Sequence, residues 1–211
     1  MSRRRFLAPH CLGAVLLAAA LAACAGGAPS PAQVARPSGQ ACYAALGERG
    51  AHFARASPPA NGPCRVRDGV SLVRGVAVLD RPAVMDCRLA LALNDFEREI
   101  MQPAAARHFG RKVARIHYLG AYSCRPVAGQ ARRLSEHAFG LAIDIAGFEL
   151  DDGAAIVVKD HWRAGGPRAA FLREIARGAC RHFSVVLTPN SDRDHWNHIH
   201  LDIGRNVLCS P

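Results

Sequence analysis

The sequence contains no HExxH pair, no GxxxxGK[ST] phosphate loop, no GxSxG nucleophile elbow and no GxGxxG dinucleotide fingerprint. Their absence removes helix-borne metal pairs, P-loop hydrolysis, serine hydrolases of the α/β type and dinucleotide binding as starting points. There is no internal repeat, which excludes solenoids and propellers. The longest apolar run, Leu12 to Ala23, is too short to span a bilayer comfortably. The arginines are scattered and accompany no nucleic-acid motif, so nucleic acid is not an expected partner. The cysteines are too widely spaced for a zinc finger.

What is present begins with export. Residues 1–23 combine a basic start, Arg3-Arg4-Arg5, with the apolar run and read as a signal segment. The run ends in "LAAC", which resembles a bacterial lipoprotein signal whose Cys24 is lipidated. An ordinary signal with an incidental cysteine is the alternative, and "SRRRFL" also resembles a twin-arginine signal. Residues 24–40, rich in Ala, Gly, Pro and Ser, read as a flexible tether. Residues 41–211 then form one domain of ordinary size.

Residues 1–23 carry three arginines and no acid, so without them 24 basic residues face 17 acidic ones and the net charge falls from +10 to +7. An exported basic protein meets anionic lipid and wall polymers first. Six domain cysteines remain: Cys42, Cys64, Cys87, Cys124, Cys180 and Cys209. An oxidising compartment should pair them all. Their 15 connectivities are not resolved by sequence, and Cys124–Cys180 is the expected best pair.

Hydrophobic spacing predicts a long helix over 83–107, with a possible break at Pro103, and a second helix opened by Pro167. Strands are predicted in "ARIHYLGAYSC", "GLAIDIAGF", "AAIVV", "SVVLT" and "HIHLDI". The expected fold is α+β, with a mainly antiparallel central sheet flanked by helices.

Alternation gives these strands chemical content. In "GLAIDIA", Leu141, Ile143 and Ile145 share one face, and Asp144 lies on the other between alanines. In "HWNHIHLDI", His198, His200 and Asp202 share a face opposite Ile199, Leu201 and Ile203. If the two strands are neighbours, their polar stripes and the preceding His137 can face one point. Histidines and a carboxylate are the ligand types of a catalytic zinc site, which keeps a further position open.

"SEHAFGLAID" resembles the Ser-x-His-x-x-Gly-x-Ala-x-Asp signature of zinc D-alanyl-D-alanine peptidases, whose fold is shared by hedgehog domains and penicillin-insensitive murein endopeptidases. "HWNHIH" supplies the matching downstream His-x-x-His-x-His. The nearest resemblance is to the bacterial extensin-like C-terminal domain family, carried by "YSCRPV", "SEHAFGLAIDIAGFEL" and "HWNHIHLDI" over about residues 60–209. The resemblance implies a hedgehog/DD-peptidase-like fold and Zn2+ held by His137, Asp144 and His200. Some relatives place a glutamate where this chain has Asn197, which cannot transfer a proton. Murein endopeptidase-like relatives have a histidine matching His195, which is therefore the expected proton carrier, with Asp194 as its orienting partner or its substitute. A loop without catalytic duty is the alternative.

Arg125 is the candidate for gripping a substrate carbonyl or carboxylate, against the alternative of an ordinary surface charge. His198 is expected to support the site or orient water, Ser135 to make a local hydrogen bond, and Gly140 to permit a turn. His117, His161 and Trp162 are candidates for the groove wall, with structural duties favoured. The expected function is zinc-dependent hydrolysis of peptide bonds in peptidoglycan, in stem peptides or cross-links, by a monomer anchored through lipid on Cys24 to the outer membrane, facing the periplasm. The alternative is a zinc-containing binding module without turnover. Carboxypeptidase and endopeptidase action remain open at this stage.

Overall fold

The structure is a computed structural model, and it describes residues 36–58, 62–209 and 211. In chain order the elements are α1 (Gly39–Glu48), β1 (His52–Arg55), β2 (Gly69–Arg74), β3 (Val78–Asp86), α2 (Cys87–Phe96), α3 (Gln102–Phe109), β4 (Val113–Gly120), β5 (Pro126–Val127) and β6 (Gln130–Leu134). There follow β7 (Ala142–Leu150), β8 (Ala155–Val157), α4 (Val158–His161), α5 (Gly166–Ala179), β9 (Val185–Leu187), β10 (Ile199–Asp202) and β11 (Leu208–Cys209).

The main sheet runs β1-β2-β3-β4-β7-β10-β9-β11, with β8 pairing β7 and β5-β6 forming a separate hairpin. All its pairs are antiparallel except β3 with β4 and β9 with β11. The fold is therefore α+β with a mixed, mostly antiparallel sheet. On one face, Ile145, Ile199 and Leu201 meet Phe96, Ile175 and Ala179 of the helices. Because side chains alternate along a strand, Asp144 and His200 must project from the opposite face. Core packing thus decides which residues are left for chemistry.

All five expected strands form, as does the helix opened by Pro167. The long helix starts later than expected. Residues 83–86 finish β3, and the Asp86 carboxylate caps the helix by accepting from Arg88 N at 3.0 Å. Pro103 does not break the helical segment, which continues to Phe109 and stops at Gly110 with φ 64°. A proline ring crowds the carbonyl four residues before it, here Glu99. That carbonyl lies in a wide π turn, Glu97–Met101, directly ahead of the proline.

The domain also begins before the expected boundary. Arg36 Nη2 donates to His182 O at 2.8 Å, Gly39 N donates to Asp68 Oδ2 at 2.9 Å, and α1 opens at Gly39. Composition suggested a linker there because Pro37, Ser38 and Gly39 resemble tether residues. Residues 1–23 and Cys24 lie outside the described residues.

All six domain cysteines are paired, as expected, but Cys124–Cys180 does not form. The bridges are Cys42–Cys87, Cys64–Cys124 and Cys180–Cys209, with Cα separations of 6.1, 5.6 and 5.8 Å. A disulfide needs its Cα atoms within about 4.4–6.8 Å. The C-terminal strand β11 brings Cys209 to the end of α5, and the 62–68 segment brings Cys64 to Cys124. Each bridge should contribute about 2–4 kcal/mol by restricting the unfolded chain.

Glu97, fully buried in the π turn, accepts through Oε2 from Val76 N at 2.7 Å and Ala77 N at 2.6 Å, closing the β2–β3 turn. Burial pushes its carboxyl up to about 8, against the pull of those two amides. The native state thus holds a proton that the unfolded chain releases near 4.5, so stability should fall as pH rises between about 4.5 and 8. Glu97→Gln is expected to flatten that slope, as read by denaturant titration across the window. An unchanged slope would assign it to other groups.

Candidate metal centre

The segment "SEHAFGLAID" folds as one turn of 3-10 helix, a reversal, and a strand. Ser135 caps the turn by accepting from His137 N at 3.4 Å. Gly140, at φ 66°, ends it and accepts from Asp86 N at 2.9 Å. A Cβ at Gly140 would lie 2.9 Å from Asp86 N, so both the left-handed backbone and the close approach require glycine. The reversal sets His137 just ahead of β7 and Asp144 within it.

β7 lies between β4 and β10. His200 of β10 is the register partner of Asp144, and Gly120 of β4 is its partner on the other side. The β4 end then supplies a carbonyl: His137 Nδ1 donates to Ala121 O at 2.6 Å. His200 Nε2 donates to Asp202 Oδ2 at 3.1 Å, along the same strand face. With these far nitrogens holding the ring protons, His137 Nε2 and His200 Nδ1 turn lone pairs toward Asp144. They lie 3.1 and 2.8 Å from its two carboxylate oxygens and 3.3 Å from each other.

Three acceptors facing one another at such distances call for a positive charge between them. Burial alone would lower His200, but hydrogen bonds to Asp144 and Asp202 push it up to about 9. Burial alone would raise Asp144, but its contacts with the His137 and His200 imidazoles hold it well below the usual carboxylate range. A tetrahedral ion at about 2.0–2.1 Å from its ligands would space them roughly 3.3 Å apart. The trio His137, Asp144 and His200, all buried with donor atoms within 4.8 Å of one another, fits a metal ion on both counts.

The neighbouring residues are also placed. His198 Nδ1 lies 2.8 Å from Asn197 Oδ1 and its Nε2 lies 3.4 Å from Asp144 Oδ1. Burial lowers its pKa, so its ring is neutral at neutral pH. The His195 ring sits 5.0 Å from that of His198 and 5.6 Å from that of His200. Its Nδ1 lies 2.7 Å from Asp192 Oδ1, which also accepts from the His195 and Asp194 amides.

Asp192, not Asp194, is therefore the partner of His195. Asp192 caps the short turn Arg193–His195 and faces back onto His195, whereas Asp194 is 60% exposed and paired with Arg193. Sequence reasoning missed Asp192 by favouring the adjacent carboxylate. It placed Asp202 on the right face without giving it a role.

A groove of about 520 Å³ opens onto Asp144 and His200 of the trio, with Arg125, Arg133, Asp194 and His195 among its walls. Arg125 is positioned by the β5–β6 hairpin, its carbonyl accepting from Ser135 N at 3.1 Å. His117 lies instead between Asp80 and Glu149, His161 Nδ1 accepts from Val157 N at 2.8 Å, and the buried Trp162 donates to Asn190 Oδ1 at 3.0 Å. These three have structural duties.

The fold and site define an α+β domain with a buried His-Asp-His cluster under an open groove. Residues 40–210 match the family described as Extensin-like protein C-terminus, and the chain belongs to that family. Comparison with curated proteins and with solved structures gives no match.

Proposed function

We propose that this protein is a zinc-dependent hydrolase of peptide bonds in peptidoglycan, related to the D-alanyl-D-alanine peptidase, hedgehog and murein endopeptidase group. The observation that carries the reading is the pair of imidazoles whose far nitrogens are held by Ala121 O and Asp202, so that both near nitrogens meet Asp144 as ligands. Zinc, when bound there, would polarise a scissile carbonyl and lower the pKa of water toward about 7.

The chain's own residues supply the rest. Asp192 holds His195 Nδ1, which leaves Nε2 to take a proton from the attacking water and return it to the leaving amine. Asp192 also stabilises the ring once it is charged. His198, neutral and beside Asp144, orients the water. Arg125 and Arg133 in the groove wall can grip a substrate carbonyl or carboxylate.

One observation favours a second reading, a zinc-containing binding module. Asn197 cannot carry a proton, and its side chain is engaged with His198. Purified peptidoglycan incubated with zinc-loaded protein separates the two. Hydrolysis releases fragments identifiable by mass spectrometry, a single amino acid for a carboxypeptidase or separated stems for an endopeptidase. Co-sedimentation with intact wall and no released fragment would leave the binding module.

The reading extends to the envelope. Cleavage before Cys24 and lipidation of its thiol would anchor the protein in the outer membrane, and Ala25 in place of aspartate fits that membrane. Three disulfides suit an oxidising periplasm. Palmitate labelling should mark the wild type and not Cys24→Ala, with the wild type staying in the membrane fraction at high salt. An unlabelled, soluble wild type would remove the anchor and leave the metal site untouched.

A further inference from the structure

A second cavity, of about 490 Å³, lies beside the groove, and Glu136 stands in the wall of both. Its charge is lopsided: Arg65, Arg67, Arg88 and Arg205 line it, against Asp86 and Glu136. Asp86, 1% exposed, is already committed. It takes Arg88 in a two-pronged pair at 2.9 and 3.1 Å and caps α2. Arg65, Arg67 and Arg205 make no side-chain hydrogen bond or close ion pair with any other described residue, and Arg205 is attracted at longer range to Glu136.

With Arg88 held by Asp86 and Arg205 drawn toward Glu136, four guanidinium groups still face only two carboxylates, and an anion would relieve that excess. The backbone beneath them is braced. Arg65 follows Cys64 and Arg88 follows Cys87, each a buried half of a different disulfide. The remaining wall is apolar, with Phe139, Leu141 and Ile203 half-buried. A bare phosphate would gain nothing from these side chains. A carboxylate on an aliphatic stem uses both parts, its methylenes on the apolar wall and its oxygens on the arginine forks.

We propose that this cavity is a binding site for an acidic peptide side chain, a carboxylate on a short aliphatic stem. The site lies one residue along the chain from the metal ligand His137, since Glu136 forms the shared wall. Resting on the peptide-hydrolase reading, it selects substrates that carry a carboxylate to one side of the cleaved bond. The groove arginines Arg125 and Arg133 lie in the other cavity and do not take part.

The test needs no turnover. Metal-stripped, disulfide-intact protein is titrated with glutarate and, separately, with inorganic phosphate, followed by NMR of the arginine side-chain N–H groups. Glutarate should shift the signals of Arg65, Arg67 and Arg205, bind more tightly than phosphate and weaken as salt is raised. The double variant Arg65→Ala/Arg67→Ala, at exposed positions, should weaken glutarate binding at least roughly tenfold with an unchanged circular dichroism spectrum, two lost charge-assisted contacts being ample for that. Arg205→Ala, from a separate segment, should weaken it independently. Equal or tighter phosphate binding, no glutarate shift at these arginines, or unaltered affinity in both variants would overturn the proposal. Glutarate binding by a protein that releases nothing from peptidoglycan would instead sink the hydrolase reading and keep the site.

Discussion

His195→Ala should retain its metal and lose about 10²–10⁴-fold in hydrolysis rate, the usual contribution of a positioned acid-base group. That loss corresponds to roughly 2.7–5.5 kcal/mol of barrier. The reasoning is geometric. His195 contacts no ligand atom through a hydrogen bond, but its ring borders His198 and His200 and its Nδ1 is held by Asp192. The ring can therefore be removed without dismantling the trio. Asp192→Asn should give a smaller loss in the same direction, because an amide can still accept from Nδ1 but cannot stabilise the charged ring. Asp194→Asn, at an exposed carboxylate paired with Arg193, should leave the rate nearly unchanged. Steady-state rates alongside metal analysis check all three. A full rate in the His195 variant, or a collapse in Asp194→Asn, would move the proton-transfer role to Asp194.

Alanine at His137, Asp144 or His200 should remove both zinc and activity. Each position supplies one of three inward donor atoms, and two remaining donors make a poor tetrahedral site. Asp202→Asn is more discriminating. It keeps a partner for His200 Nε2 but removes the charge that makes His200 a better ligand, so zinc affinity should fall by roughly 10–100-fold without being abolished. Competition with a chelator of known affinity measures this. Wild-type affinity in Asp202→Asn would mean that the second carboxylate only positions the strand.

The trio came from the resemblance of "SEHAFGLAID" and "HWNHIH" to the zinc-peptidase signature, and strand alternation supported Asp144 and His200 independently. The alternation of "GLAIDIA" and "HIHLDI" put Asp144, His198 and His200 on the faces opposite the apolar residues, and the core obeys that division. The reversal at Gly140 was legible because glycine between a short turn and a strand has few other uses. Strand neighbourhood was not legible. That β10 pairs β7, with His200 opposite Asp144, follows from packing of the whole sheet.

The misses share one cause. Asp192 over Asp194 depends on the capping geometry of one short turn, and Cys124 with Cys64 depends on where a loop far along the chain comes to rest. Residues 83–86 looked helical because Ala83 and Met85 fit the spacing of the true helix that follows. Only the Asp86 cap fixes its start. The arginine-lined cavity had no local signature at all, since its members come from segments around positions 65, 88 and 205.

The proposed hydrolysis depends on a zinc ion at His137, Asp144 and His200, and anomalous diffraction at the zinc edge from crystals of zinc-loaded protein tests it most directly. The account predicts one peak, about 2.0–2.2 Å from His137 Nε2, an Asp144 carboxylate oxygen and His200 Nδ1, with one position left open toward the groove. No peak at the trio, or a peak held instead by His195 and His198, would contradict it.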